Sequence, residues 1–339
     1  MIDHTYRLWS LESKKNLLGI AFLVLFLGTL PLWLNTPYAL SIMILIGIYS
    51  IVIVGLCLLM GYAGQVSLGQ AAFFGLGAYG SAILSKRFGW SPWLGIVGAA
   101  AISGTVAYLI GIPVFRLQGH YLAMGTLAFG AIVHILAGEW KAYTGGATGL
   151  PGVPRLKIWG QAIDTDLSYY YLVWGFALVG LVIAVNVVHS RFGRALCAIR
   201  DSEAAAASLG VEVSRHKLKV LVVSAIYASV AGSLYVHYMI FVSPSVSSLD
   251  LSIRFVLMAA VGGLASVWGA PFGTALVMLI TVPLITKYGS GEHQIVAYGI
   301  LLVVIMIFMP HGLSVEVARA WEESSILQSL RQALRGHRK

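Results

Sequence analysis

Apolar residues along this 339-residue chain come in unbroken blocks of about 20, separated by short stretches rich in Gly, Pro, Ser or charge. A helix of about 20 residues, rising 1.5 Å per residue, matches a hydrocarbon core about 30 Å thick. The blocks predict transmembrane helices over Leu17–Leu34, Tyr38–Met60, Gly61–Leu84, Trp93–Val114, Gly119–Ala137, Tyr170–Val188, Lys217–Val242, Leu251–Ser266, Val267–Ile285 and His293–Met309. That is about ten spans, of which Leu251–Ser266 is short enough to be a tilted, protein-buried helix or a re-entrant piece.

Composition fits that pattern. Hydrophobic residues make up 58% of the chain and charged residues 10%, with a mean hydropathy of +0.85, against about 25% charged in a soluble domain. The expectation is an all-α polytopic membrane protein with a segment at 1–16, a transmembrane unit at 17–309 and a tail at 310–339. With the N-terminus inside, the segments Met1–Asn16, Phe115–Gln118, His189–Lys219 and Pro310–Lys339 hold fifteen of the 22 Lys and Arg. This is the positive-inside bias, so both termini are expected on the cytoplasmic side of a bacterial inner membrane, in contact with lipid. The net charge of +9 reflects that bias, and no soluble basic, aromatic-interleaved surface exists for nucleic acid. The first apolar block lacks a small-x-small cleavage site and reads as a retained helix. Cys57 and Cys197 fall in a span and an inner loop, which argues against a disulfide.

Small residues at steps of four form rows at Ala63, Ser67, Ala71 and Gly75; at Gly95, Ala99, Ser103, Ala107 and Gly111; at Ser224, Ala228 and Gly232; and at Gly262, Ser266, Ala270 and Thr274. Lipid gives helices little hydrophobic reason to associate, so such rows predict close helix packing. "GYAGQVSLGQAAFFGLGAYG" adds Gln65, Ser67 and Gln70, whose polar groups need partners in a low-dielectric setting. Read as helix, Ser67 and Gln70 share a face and either line a translocation path or bond to a neighbouring helix.

No nucleotide loop, H-E-x-x-H or paired-cysteine metal spacing is present, and metal ligation and catalysis are not expected of this chain. His134 and His237 lie in spans and read as satisfied structural histidines. Glu139 and Asp250 sit at span edges, so a carrier built on buried carboxylates is disfavoured. The inner loop "HSRFGRALCAIRDSEAAAASLGVEVSRH" predicts a short helix over Glu203–Leu209, capped by Ser202 and stopped by Gly210. Flanked by Arg191, Arg194, Arg200, Asp201 and Arg215, it is a docking knob for a motor protein or a solvated connector.

"GYAGQVSLGQAAFFGLGAY", "TGGATGLPGVPR", "SRFGRALCAIRDSEAAAASLGVEVSRHKLKVLVVSAIYASVAGSLY" and "LSIRFVLMAAVGGLASVWGAPFGTAL" together resemble the LivM-type permease family of ABC importers for branched-chain amino acids. The resemblance implies a fold like the large-permease (type II) importers. It also implies a LivH-type permease partner, two cytoplasmic ATPases that bind ATP and magnesium, and a periplasmic binding protein. This chain itself would need no cofactor. In that setting Glu203–Gly210 is similar to the coupling helix that seats in an ATPase.

The sequence departs from the family pattern at three points. The loop motif E-A-A-x-x-x-G is matched by Ala204, Ala205 and Ala206 ahead of Gly210 without the acid, or by Glu203 with one extra residue. Family members often carry His at Gln70 and a carboxylate at Arg254. Arg254 either snorkels to headgroups or faces the inter-subunit cavity and attracts a carboxylate-bearing substrate. Urea, short amides or other carboxylates remain as alternative cargo, and a stand-alone channel or ion-coupled carrier as the alternative of another class. The tail Val315–Arg335 reads as an amphipathic interfacial helix, and the turn-rich outer loop Gly138–Tyr169 as either a rim for the binding protein or a plain connector.

Overall fold

A computed structural model describes residues 36–115, 119–158, 161–264 and 266–288, together with Gly19, residues 23–31 and residue 33. The predicted span His293–Met309, the segment 1–16, the tail 310–339 and parts of Leu17–Leu34 lie outside the described residues.

The helices begin where capping chemistry says they should. Residues 23–31 are helical (α1). Thr36 accepts the Ala39 N–H, and Pro37 opens α2 (Pro37–Leu56), which runs on into a π-turn, Cys57–Tyr62. After a non-helical stretch come α3 (Gln70–Lys86), α4 (Pro92–Val114, capped by Ser91) and α5 (His120–Glu139). The segment between α5 and α7 holds α6 (Lys141–Thr144) and the two-residue strands β1 (Leu150–Pro151), β2 (Lys157–Ile158) and β3 (Gln161–Ala162). Helix α7 (Asp166–His189), the loop helices α8 (Arg191–Asp201) and α9 (Glu203–Ser208), and α10 (Val213–Met239) follow. Strand β4 (Phe241–Val242), α11 (Leu249–Gly262) and α12 (Gly269–Tyr288) complete the described chain. Five of these elements, Pro37–Tyr62, Pro92–Val114, Tyr121–Glu139, Asp166–His189 and Val213–Met239, are long and apolar enough to cross a membrane.

Helix α10 is the axis of the bundle and packs on α2, α3 and α4. The small-residue rows explain the contacts. Gly95, Ala99, Ser103, Ala107 and Gly111 form the buried edge of α4, and Ser224, Ala228 and Gly232 are all buried on α10. A Cβ at Gly77 would run into the Ser229 carbonyl, and one at Gly232 into the Phe74 carbonyl. Thus α3 and α10 touch backbone to backbone. The hydroxyls of Tyr170 and Tyr171 donate to the carbonyls of Leu27 and Gly28 (2.8 and 3.3 Å), which ties α1 to α7.

Two predicted rows are not helical rows. Gly61–Leu84 is not one helix: residues 63–69 leave helical geometry, so Ala63 and Ser67 precede α3 while Ala71 and Gly75 lie on it. Ser67 and Gln70 therefore do not share a helical face. The second row is split by the turn between α11 and α12, with Gly262 on one side and Ala270 on the other, and Ser266 in the turn. Its packing role survives in another form, because Gly262 is pressed against the backbone of Gly269 and Gly273 across that turn. Helix α11, 14 residues long, is the short element expected at Leu251–Ser266, with one face buried and Leu249 and Ile253 exposed.

At the end opposite α8 and α9, the segment between α5 and α7 folds over the helix ends as a cap. Strand β1 pairs antiparallel with β4 in the register Leu150↔Val242. The Lys86 ammonium donates to the Pro151 carbonyl, and the Arg87 guanidinium donates to the Ala142 carbonyl while lying over the Tyr143 ring. The Trp93 indole donates to the Lys157 carbonyl (2.7 Å). Buried His237 donates from Nδ1 to the Pro154 carbonyl, so its Nε2 accepts from the Ser81 hydroxyl, both at 2.7 Å. His134 likewise reaches the Pro244 carbonyl (3.0 Å). Both are the satisfied histidines that their positions predict.

Candidate functional site

Seven residues, 63–69, interrupt the helical backbone between α2 and α3. Every interruption at membrane depth strands carbonyls on one side and N–H groups on the other, and lipid satisfies neither. Here side chains from α5, α8 and α11 meet that demand, and α10 holds the side chain of Gln70.

On the α2 side, Gly64 takes a left-handed conformation (φ 67°) that turns the chain out of the π-turn. The Leu59 carbonyl then accepts the Gln65 N–H at 3.1 Å, and the Ala63 carbonyl accepts Gln65 Nε2 at 2.9 Å. The Gly61 carbonyl accepts Nη1 of Arg200, at the end of α8, at 3.1 Å. On the α3 side, the Leu68 N–H donates to Thr126 Oγ1 of α5 and the Ala71 N–H to Ser252 Oγ of α11, both at 3.0 Å. Gln70, fully buried, donates from Nε2 to the hydroxyl (3.0 Å) and carbonyl (3.1 Å) of Ser224 on α10. Gln65 is thus a local cap, and Gln70 is a bridge to α10.

Two buried polar atoms in this cluster, Ser67 Oγ and Gln70 Oε1, have no hydrogen-bond partner among the described residues. A buried hydroxyl and amide oxygen left so carry a desolvation cost of about 1–3 kcal/mol each. They are the groups here that a polar solute or water would satisfy. Arg254, two residues along α11 from Ser252, pairs with Asp250 Oδ2 at 2.7 Å in a half-buried ion pair. The sequence reading weighed Arg254 without this partner, although the i, i+4 spacing makes the pair legible.

The loop that follows α8 matches the predicted cap and stop. Ser202 Oγ accepts the Ala205 N–H at 3.2 Å. Gly210 (φ 82°) closes the helix, with the Val211 N–H returning to the Ala206 carbonyl at 3.1 Å. Ala206 is buried, while Ala204, Ala205, Ala207 and Leu209 are exposed, Leu209 to 82%. Of the flanking charges, Arg191, Arg194 and Arg215 are exposed, whereas Glu203 and Arg200 also make inward contacts. Glu203 pairs with Lys217 Nζ at 2.5 Å, and Lys217 is only 4% exposed. Arg200 turns inward to Gly61 and is braced by Asp201 Oδ1 (3.2 Å), and Arg194 bonds back to the His189 carbonyl. What remains on the surface of α9 is a small apolar knob.

Sequence reasoning missed Thr126 and Ser252 and read Ser224 only as a packing residue, because the demand they meet comes from a helix break that the hydropathy pattern conceals; Lys217, the partner of Glu203, was missed as well. A hint was available: Gly-Gln-x-Ser-x-Gly at 64–69 is poor helix material inside a span.

Known proteins resemble this chain over most of its length. The LivM permease of the high-affinity branched-chain amino acid transport system of Salmonella typhimurium strain LT2 is 31% identical over 289 residues, 78% of this chain and 67% of that protein. The LivM permease of Escherichia coli strain K12 is 30% identical over 289 residues, with the same 78% and 67% coverage. A probable branched-chain amino acid transport permease LivH of Methanocaldococcus jannaschii is 27% identical over 266 residues, 72% of this chain and 81% of that one. No solved structure is significantly similar. The family model described as branched-chain amino acid transport system / permease component matches residues 38–310, and this helical polytopic chain belongs to that family.

Proposed function

We propose that this permease component supplies half of an alternating-access path for branched-chain amino acids. It does no chemistry of its own. A LivH-type permease forms the other half, two cytoplasmic ATPases hold ATP and magnesium, and a periplasmic binding protein delivers the cargo. Similarity to both LivM and LivH relatives supports a pair of related permeases. Residues 1–16, the loop 189–216 and the tail 310–339 lie on the cytoplasmic side in this reading.

One observation carries the proposal. The helix break at 63–69 is held by side chains from α5, α8, α10 and α11, with Ser67 Oγ and Gln70 Oε1 left for a polar solute. Irregular backbone at membrane depth belongs where protein or a watery cavity surrounds it, and transporters place such breaks at the path. The exposed knob of α9 gives the ATPases something to push.

Purification from the native membrane, with ATP hydrolysis measured with and without leucine-loaded binding protein, tests this. Recovery of two ATPases and a second permease, with hydrolysis stimulated by the loaded binding protein, is the expected result. The same assembly without stimulation by amino acids removes the cargo and keeps the importer; recovery of the chain alone overturns both. A second expectation concerns Arg254. Arg254→Ala should slow leucine uptake severalfold while assembly is unchanged, and wild-type uptake kinetics in that variant would take Arg254 out of the path.

A further inference from the structure

The interior contacts of Arg200 single it out among the loop charges. Helix α8 lies on the bundle through Gly193, Leu196 and Ile199, all buried, with Arg200 in its last turn. The guanidinium is oriented by Asp201, whose Oδ1 accepts from Nε and Nη2 at 3.2 Å each. That leaves Nη1 aimed at the Gly61 carbonyl. The aliphatic stem of Arg200 lies over Gly64, where a Cβ would stand 3.0 Å from Cγ. Arg200 therefore grips both sides of the point where α2 ends.

What it grips is a π-turn. Six residues, Cys57–Tyr62, run with the wide π spacing directly before the break. A π-turn differs from α-helix by one residue of register, and such turns recur at functional sites. The Gly61 carbonyl is one of the groups whose partner changes if the register changes. A pull on Arg200 thus bears on where α2 ends and, through Gln65, on where the seven-residue break lies.

The second connection of the loop is separate. Glu203 ties α9 to Lys217 at the base of α10, and α10 carries Ser224, the partner of Gln70. The loop is therefore joined to each side of the break, by Arg200 to the end of α2 and by Glu203 through α10 to the start of α3. We infer that Arg200 is the positioning residue that transmits displacement of α8 and α9 to the π-turn, so that motion of the loop moves the break. This rests on the reading of α9 as the element the ATPases push.

The test uses the complete assembly in vesicles, reading leucine uptake per ATP hydrolysed. Arg200→Met keeps the stem over Gly64 and removes the donor. It should assemble and hydrolyse ATP in response to loaded binding protein, with uptake per ATP down on the order of tenfold. Arg200→Lys, which restores a charged donor, should recover most of that ratio. Thr105→Ala, whose parent hydroxyl bonds back to the Ala101 carbonyl on the exposed face of α4, should leave the ratio unchanged. A wild-type ratio in Arg200→Met overturns the inference, as does loss of assembly by both Arg200 variants, which makes the residue structural. Absence of stimulated hydrolysis in the wild-type assembly is the separate failure of the functional reading.

Discussion

Gly232→Val is expected to remove the folded permease from the membrane. Helices in lipid are held by close packing, not by escape from water, so the places where backbones touch carry much of the stability. At the α3–α10 crossing a side chain on Gly232 meets the Phe74 carbonyl, and one on Gly77 meets the Ser229 carbonyl. Ser233 Oγ donates to the Gly77 carbonyl (3.1 Å) at the same crossing. Overpacking a core costs about 1–3 kcal/mol when side chains can move, and backbone cannot step aside without parting the two helices. The yield of monodisperse detergent-extracted protein, with its thermal midpoint, reads the effect. Gly175→Val is the control, because nothing lies within 4 Å of a Cβ there, and it should behave as wild type. Equal yields for the two variants would mean the crossing is not a determinant of the fold.

Glu203→Gln should be the most damaging single change in the α8–α9 loop. It leaves the Lys217 ammonium, 4% exposed, without its carboxylate. Removing one partner of a fully buried pair costs about 3–5 kcal/mol. Glu203 is partly exposed, which brings the expected loss to about 1–3 kcal/mol. The double variant Glu203→Gln with Lys217→Met removes the stranded charge and should recover most of the stability, seen as a return of the thermal midpoint. The pair of measurements also separates two roles. If Glu203 acts only through Lys217, the double variant regains stimulated ATP hydrolysis together with stability. Restored stability without restored stimulation would assign Glu203 a direct contact with the motor.

The capped helix after Ser202 and its stop at Gly210 were legible because both rest on local chemistry: a hydroxyl for a nearby N–H and a glycine for a left-handed turn. The histidines were legible for a related reason, since a polar group in an apolar block must find a partner. The break at 63–69 was not. Hydropathy averages over a window, and Gly, Ala, Val and Leu around Gln65 and Ser67 keep the average apolar whether or not the helix continues. The step-of-four spacing of small residues ran Gly262 and Ala270 into one row across the boundary between Leu251–Ser266 and Val267–Ile285, and α8 was overlooked because its buried face is only Gly193, Leu196 and Ile199.

By itself, then, the sequence determined the class of this protein: long apolar blocks and few charges leave helices in lipid as the available fold, and small residues at steps of four mark the faces along which they pack. Only the tertiary structure decided where the second apolar pair is interrupted and what each loop charge does. A helix break is tolerable only if Thr126, Ser252, Ser224 and Arg200, between 58 and 154 residues away by chain separation for the first and third, arrive to satisfy its backbone and side-chain groups. Such long-range pairing has no local signature. Arg200 and Glu203 look in sequence like solvated charges around a short helix; their partners, a carbonyl on α2 and a buried ammonium on α10, exist only once the bundle has closed.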